Sequence, residues 1–375
     1  MARSPAETEI YVKRILIPVH WLTDFGGLHE NVLDTAEGLI AGGWQVTVMA
    51  PPSKATARFV ALGAKVLEDS MDDIASSTSL AVSQGPFDLV HAHPFQAREV
   101  GFAVAEALHI PLVVTLHLQY EGEFERYSAT VRRVICVSGH LSEHVARACP
   151  QLADKLVTIP NGVDFDIFRP PDTPVPRGDR TIIGIASRLD PDKQVLCNAV
   201  ADLVDHLAAT GAPNQFELRI AGERLYGPPS NSFVEAIDRA AASGVVAVTR
   251  LGWISDRRAL RNFFTEANVI VAPGRAAMEA IACGTPTIAA DALGYVGLVT
   301  AGSFALGHLT NFGGVREAAT RYSPGAIVED LYRALAMTPK ETAKLRQKLK
   351  ILHDVRSIQT AQLELCNHLY AATAP

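Results

Sequence analysis

A chain of 375 residues, 48% hydrophobic and 20% charged, is longer than one hydrophobic core usually serves, so two globular domains are expected. Its net charge of −6 leaves no basic footprint for nucleic acid, and no basic run suggests a membrane surface. Five scattered cysteines, odd in number and without a CxxC, argue against a disulfide framework or a structural zinc site and for a reducing, cytoplasmic setting. The polar opening MARSPAETEIYVKR is not expected to be a secretory signal, and no apolar segment is long enough to span a bilayer.

Residues 14–19, RILIPV, read as a first buried strand. The helix after it places Leu28, Val32, Ala36, Leu39 and Ile40 at helical spacing and stops at Gly42-Gly43, before the strand QVTVMAPP. Gly26 and Gly27 precede that helix, where bare backbone can approach a phosphate or a sugar, or simply turn. The pair is not the GxGxxG fingerprint, so no nicotinamide cofactor is indicated. Residues 60–82 mix short apolar and polar runs, and FDLVHAH (87–93) then reads as a strand ending in two histidines. A helix over 97–108 leads to the strand IPLVVTLH, which ends on His117. Strands VICVS (134–138) and KLVTIPN (155–161) follow, with a helix over 140–148 between them.

Histidines at the ends of parallel strands lie on the rim where open α/β sheets bind ligands. His91 is read as a hydrogen-bonded structural residue. His117 is read as functional, because the polar segment QYEGEFERY after it resembles an active-site loop.

FRPPDTPVPRGDR (168–180) carries four prolines in a short polar run and reads as an interdomain linker. The expected division is therefore a first domain over 1–167, the linker, and a second domain over 181–353. Strand TIIGIAS (181–187) ends in Arg188-Leu189-Asp190-Pro191-Asp192-Lys193, ahead of a helix with Val195, Ala199, Val200, Leu203 and Val204. An Arg at a strand end and a Lys at the next helix start can converge on one diphosphate, the Arg as a fork and the Lys as a point charge, or can simply be solvated surface charges. Strands FELRIAG (216–222) and AVTRLGW (247–253) and helices over 231–243 and 256–267 come next. Trp253 offers a face for a nucleobase or for core packing, and the pattern alone does not choose.

The stretch VIVAPGRAAMEAIACGTPTIAADALG (269–294) organises the second half: strand, loop, helix, turn, strand. Its helix opens at the carboxyl end of a strand, where free N–H groups and the helix dipole suit an anion, and Glu279 further inside suits neutral hydroxyls such as a ribose's, or is a solvated helix residue. The glycine-rich segment after residue 294 has no clear assignment. Amphipathic helices run from 323 onward, and the last, 354–372, carries Val355, Ile358, Ala361, Leu365 and Leu369 on one side and is expected to pack back on the first domain.

Taken in order, the Gly26-Gly27 loop, DLVHAH, VVTLH, VICVS, IPNGVD, SRLDPDK, LGW and MEAIACGTPTI resemble the GT-B glycosyltransferases of family four, which are retaining and nucleotide-sugar dependent. The resemblance covers nearly the whole length. It implies an α/β fold of two Rossmann-like, doubly wound domains facing across a cleft, with the acceptor on the first and the donor on the second. It implies that Arg188 and Lys193 hold the donor diphosphate, that Glu279 binds ribose hydroxyls, that Gly26 and Gly27 line the phosphate and acceptor side, and that His117 reaches the transferred sugar. No metal or other cofactor is implied; the co-substrate is a nucleoside-diphosphate sugar, a UDP-sugar foremost, and the partner is a small-molecule or glycan acceptor.

The family commonly carries two glutamates with seven residues between them. By that count the first falls at Val271, and the loop that holds it is shortened to Pro273-Gly274-Arg275-Ala276-Ala277. Arg275, or the NFGG stretch at 311–314, stands as a candidate substitute. Closure about the linker would exclude competing water, and the leaving phosphate itself would take the acceptor proton. A nucleotide-sugar epimerase and a non-catalytic nucleotide-sugar-binding relative are the alternatives.

Overall fold

The computed structural model describes residues 12–21, 26–119, 124–173, 178–188, 190–210, 215–223 and 232–373. Two compact units emerge, the first built from residues up to 136, from 142–159 and from 359 onward, the second from 137–141 and 160–358.

In the first unit strands and helices alternate: β1 (Arg14–Pro18), α1 (Gly27–Ala41), β2 (Gln45–Ala50), α2 (Thr56–Ala61), β3 (Lys65–Glu68), α3 (Ile74–Ser83) and β4 (Leu89–Ala92). They continue through α4 (Gln96–Leu108), β5 (Leu112–Leu116), α5 (Phe124–Tyr127), β6 (Val131–Cys136), α6 (Gly139–Ala148) and β7 (Leu156–Thr158). The seven strands lie in the order β3-β2-β1-β4-β5-β6-β7, every pair parallel. Strands covered on both faces need unbroken apolar runs, and Ile15, Leu16, Ile17, Leu89, Val90, Leu112 and Val113 are each fully buried. The mixed run over 60–82 resolves into α2, β3 and α3, the last capped by Asp73, whose carboxylate accepts from the backbone N–H groups of Ala75 and Ser76.

The second unit repeats the scheme with β8 (Thr181–Ala186), α7 (Gln194–Thr210), β9 (Phe216–Ala221), α8 (Ser232–Ser243), β10 (Val246–Gly252), α9 (Arg257–Glu266) and β11 (Val269–Ala272). It ends with α10 (Gly274–Ala282), β12 (Thr287–Ala290), β13 (Tyr295–Leu298), α11 (Phe304–Leu309), α12 (Ala326–Leu335), α13 (Pro339–His353) and the first turn of α14 (Val355–Ala371). Its sheet order is β10-β9-β8-β11-β12-β13, parallel except for the β12–β13 pair. The segment after 294, unassigned from sequence, is that antiparallel edge strand. Its period is interrupted by Gly297, whose φ of 77° a side chain rarely adopts, which hides the strand from any pattern count.

Helix α14 is divided by contact: from residue 359 it belongs to the first unit. There Gln362 meets the Thr35 hydroxyl at 3.1 Å, and Asn367 accepts from Lys13 Nζ and Trp44 Nε1 at 2.8 and 3.1 Å. Among the described residues no helix is long and apolar enough to cross a membrane.

Candidate active site

In a doubly wound sheet the chain leaves one central strand in opposite directions, and the loops at that switch diverge to leave a crevice. The first sheet switches between β1 and β4, the second between β8 and β11. Most of the candidate residues follow strands at these carboxyl ends.

In the first unit imidazoles gather at the ends of β4 and β5, beside the switch point. His91 and His93, alternate residues on one face of the sheet, are both fully buried. His91 Nε2 lies 2.7 Å from Thr115 Oγ1, and His93 Nδ1 lies 3.0 Å from Nε2 of His117. The rings stack, with centroids 5.0 Å apart for His91–His93 and 5.3 Å for His93–His117. His117 follows β5 and is half-buried. Desolvation keeps the row uncharged, pulling His91 down to about 4 and His117 to about 3 and holding His93 well below its ordinary value. His93, expected on the rim, is therefore an interior residue. It was passed over in the sequence because nothing in the pattern ties it to a histidine on the next strand.

After β1, His20 is buried with the edge of its ring toward Phe95, centroids 6.3 Å apart. Phe95 is 49% exposed with φ at 66°, a conformation bulky residues avoid and retain chiefly at functional positions. Gly26 precedes α1 and Gly27 opens it, and among the described residues a Cβ added to Gly27 would meet nothing within 4 Å. Residues 22–25 and the 120–123 part of the QYEGEFERY loop lie outside the described residues.

The second unit's crevice is ionic. Arg188 follows β8 and spreads its fork, Nη1 to Asp190 at 2.7 Å and Nη2 to Asp192 at 2.9 Å. Asp190 is fully buried and fixes the guanidinium, while Asp192 is exposed. Lys193 pairs with Asp291, which follows β12. That partner was not anticipated: 98 residues separate the two, and the only signal was that Asp291 ends a strand. Leu189, inside the loop, lies outside the described residues. Gly222, after β9, permits the closest backbone approach of the rim: a Cβ there would stand 1.9 Å from the Ser187 carbonyl oxygen. Trp253, after β10, is half-buried, and its backbone N–H donates to Glu223 at 3.2 Å.

Helix α10 starts two residues after β11. Arg275 Nε donates to Glu279 Oε1 at 2.9 Å one turn along, both side chains 6% exposed. The carboxylate offsets an arginine placed unfavourably at the positive end of the helix dipole. The first N–H of the helix, that of Gly274, is already given to the Phe312 carbonyl at 3.1 Å, which corrects the picture of a wholly open helix start. Phe312 and Asn311 are consecutive residues with φ of 51° and 53°. Asn161 Nδ2 holds this strained turn by donating to Asn311 Oδ1 at 3.0 Å, and the Asn161 carbonyl lies 2.9 Å from His353 Nδ1. The NFGG stretch thus sits against the start of α10.

Counting back from Glu279 to the family's first glutamate gives Val271. Val271 is an interior residue of β11, fully buried and paired with Ile185 and Ile288, so no side chain there reaches the rim.

Two Rossmann-like units in series, each with its polar groups at the switch point and the second with a basic loop there, define a chain of GT-B type. The family described as Glycosyltransferase Family 4 matches residues 25–167, and that described as Glycosyl transferases group 1 matches residues 171–347. The chain belongs to this glycosyltransferase family.

A D-inositol 3-phosphate glycosyltransferase of Saccharomonospora viridis is 28% identical over 243 residues, 55% of this chain and 54% of the relative. The chain thus spans about half the length of the curated relatives it matches. The crystal structure of a glycosyltransferase from Rickettsia africae ESF-5 superposes with a TM-score of 0.73 at 16% identity, covering 97% of this chain and 99% of that one. Anabaena Alr3699/HepE in complex with UDP and glucose gives 0.69 at 18% identity, covering 94% and 99%. At these identities the structures establish the fold.

Proposed function

We propose that the protein moves a sugar from a nucleoside-diphosphate sugar, a UDP-sugar foremost, to a hydroxyl of a small-molecule or glycan acceptor, with retention at the sugar and without a metal. The basic loop at the second switch point carries this reading. Arg188, oriented by buried Asp190, and Lys193, oriented by Asp291, supply a fork and a point charge where a diphosphate would be leaving. A diphosphate would displace the exposed Asp192 carboxylate from Arg188 and leave Asp190 in place. The UDP and glucose bound to the Anabaena relative support the donor class, and the inositol phosphate in the bacterial relatives' names supports a small polyhydroxylated acceptor. Glu279 would meet the ribose, Trp253 the base, Arg275 the shape of the Glu279 carboxylate, and Gly26 and Gly27 the acceptor side. His117 would donate to the transferred sugar. The leaving phosphate would take the acceptor proton, so no carboxylate base is required. Five free cysteines, all buried, support a reducing cytoplasmic site of action.

The test is release of nucleoside diphosphate and glycosylated product from a panel of UDP-, GDP-, ADP- and TDP-sugars with polyol and glycan acceptors. Acceptor-dependent product that vanishes in Arg188→Ala supports the proposal. Conversion of the donor alone to its epimer would replace it with the epimerase reading.

A further inference from the structure

We infer that His93 is a positioning residue that fixes His117 as the Nδ1–H tautomer, so that His117 meets its ligand as a hydrogen-bond donor and not as a base. The inference deepens the function proposed above and rests on it for the identity of that ligand, a sugar oxygen.

Both rings are neutral, so the 3.0 Å contact between His93 Nδ1 and His117 Nε2 holds a single proton. Two arrangements exist. If His117 Nε2 carried it, His93 would have to keep its own proton on Nε2. That nitrogen is buried and has no hydrogen-bond partner among the described residues. A buried N–H without an acceptor is the rarer and costlier defect; a bare ring nitrogen is the milder one. The proton therefore sits on His93 Nδ1 and is donated to His117 Nε2. His117, accepting there, carries its own proton on Nδ1.

The surroundings lock this choice. The His93 ring lies between His91 and His117 in one stack and cannot turn without breaking both contacts. His91 in turn is anchored through Nε2 to Thr115 on the neighbouring strand. Burial suppresses the doubly protonated forms that would erase the distinction. His117 is half-buried where His93 is fully buried, and with Nε2 engaged by His93 its Nδ1 is the ring nitrogen left for a ligand. An N–H there orients a sugar oxygen by donating to it, whereas the lone pair needed to remove a proton is absent.

The test is long-range proton–nitrogen correlation NMR of the full-length protein labelled with ¹⁵N-histidine at pH 7.5, with His117→Gln assigning the resonances. The expected wild-type result is a neutral His117 protonated at Nδ1. His93→Phe is expected to move that proton to Nε2, and His93→Gln, whose amide can still donate, to keep it on Nδ1. In sugar transfer His93→Phe should lower kcat about tenfold with KM little changed, and Gln should restore most of it. A wild-type His117 protonated at Nε2 overturns the inference, as does a His117→Gln assignment showing a cationic ring. The tautomer is read without any donor. A correct tautomer in a protein that transfers no sugar therefore refutes the proposed function and leaves this inference standing.

Discussion

The two units share one architecture and use opposite chemistry at its equivalent point. In the first, the loops after β1, β4 and β5 gather histidines that burial keeps neutral. In the second, the loops after β8 and β12 and the start of α10 gather arginines and a lysine, each set by a carboxylate. A neutral donor suits sugar hydroxyls and discriminates by direction; a held cation suits a diphosphate and acts by charge. Under the proposed function the same fold prepares two kinds of recognition, and the difference lies in side chains at the strand ends, not in the sheets.

The largest effect should come from the ionic side. Arg188→Ala is expected to reduce sugar transfer by roughly 10²–10³-fold with the fold intact, because no other group replaces its fork. Steady-state kinetics beside a circular-dichroism melt checks this, and near wild-type turnover would remove the diphosphate role.

Acid should break the neutral side first. His91 titrates at about 4 when folded against 6.5 in the open chain, so the unfolded chain binds a proton the folded one refuses. Its stabilisation is complete above the unfolded value and is lost as pH falls through that window, on the order of 3 kcal/mol from this residue. His93 and His117 shift in the same direction. Hydrogen exchange followed from pH 7 to pH 4 should thus deprotect β4 and β5 before β8 and β9. Simultaneous loss would contradict it, since the first unit holds three depressed histidines in one row across β4 and β5 while in the second His353, also at about 4, and His308 lie away from β8 and β9.

His117→Ala should lower kcat by about tenfold or more while UDP affinity changes little, the mark of a group that meets the sugar and not the nucleotide. Asp192→Ala should raise UDP affinity severalfold, because the exposed carboxylate competes with phosphate for Arg188 and the buried Asp190 still orients it. Fluorescence titration of the two variants gives both numbers.

The smallest change is expected at Asn311→Gly. Glycine relieves a φ of 53° but surrenders the bond to Asn161, and the two effects should cancel to within about 1 kcal/mol in thermal unfolding. A large loss would show that the asparagine pair sets the turn against α10.

What was legible in the sequence followed from continuous apolar runs and their spacing. The parallel strands, the helices between them and the two-domain α/β class are properties of local periodicity, and the strand-end positions of Arg188 and His117 came with them. The partners were not legible. Lys193 and Asp291 are 98 residues apart, Asn161 and Asn311 are 150 apart, and His93 reaches His117 across two strands. Sheet order brings such pairs together, and no window of sequence contains it. The antiparallel β13 escaped for a local reason, a positive-φ glycine in a four-residue strand. The position that the family spacing gives its first glutamate, Val271, is an interior residue of β11, a burial that the spacing alone does not contain.

The most direct measurement is calorimetric titration of UDP, GDP, ADP and TDP into the wild-type protein, Arg188→Ala and His117→Ala. The account predicts that one diphosphate binds the wild type, with UDP the expected one, that Arg188→Ala loses most of that affinity, and that His117→Ala retains it. Equal binding by wild type and Arg188→Ala, or loss of nucleotide binding in His117→Ala, would contradict the division of labour between the two units.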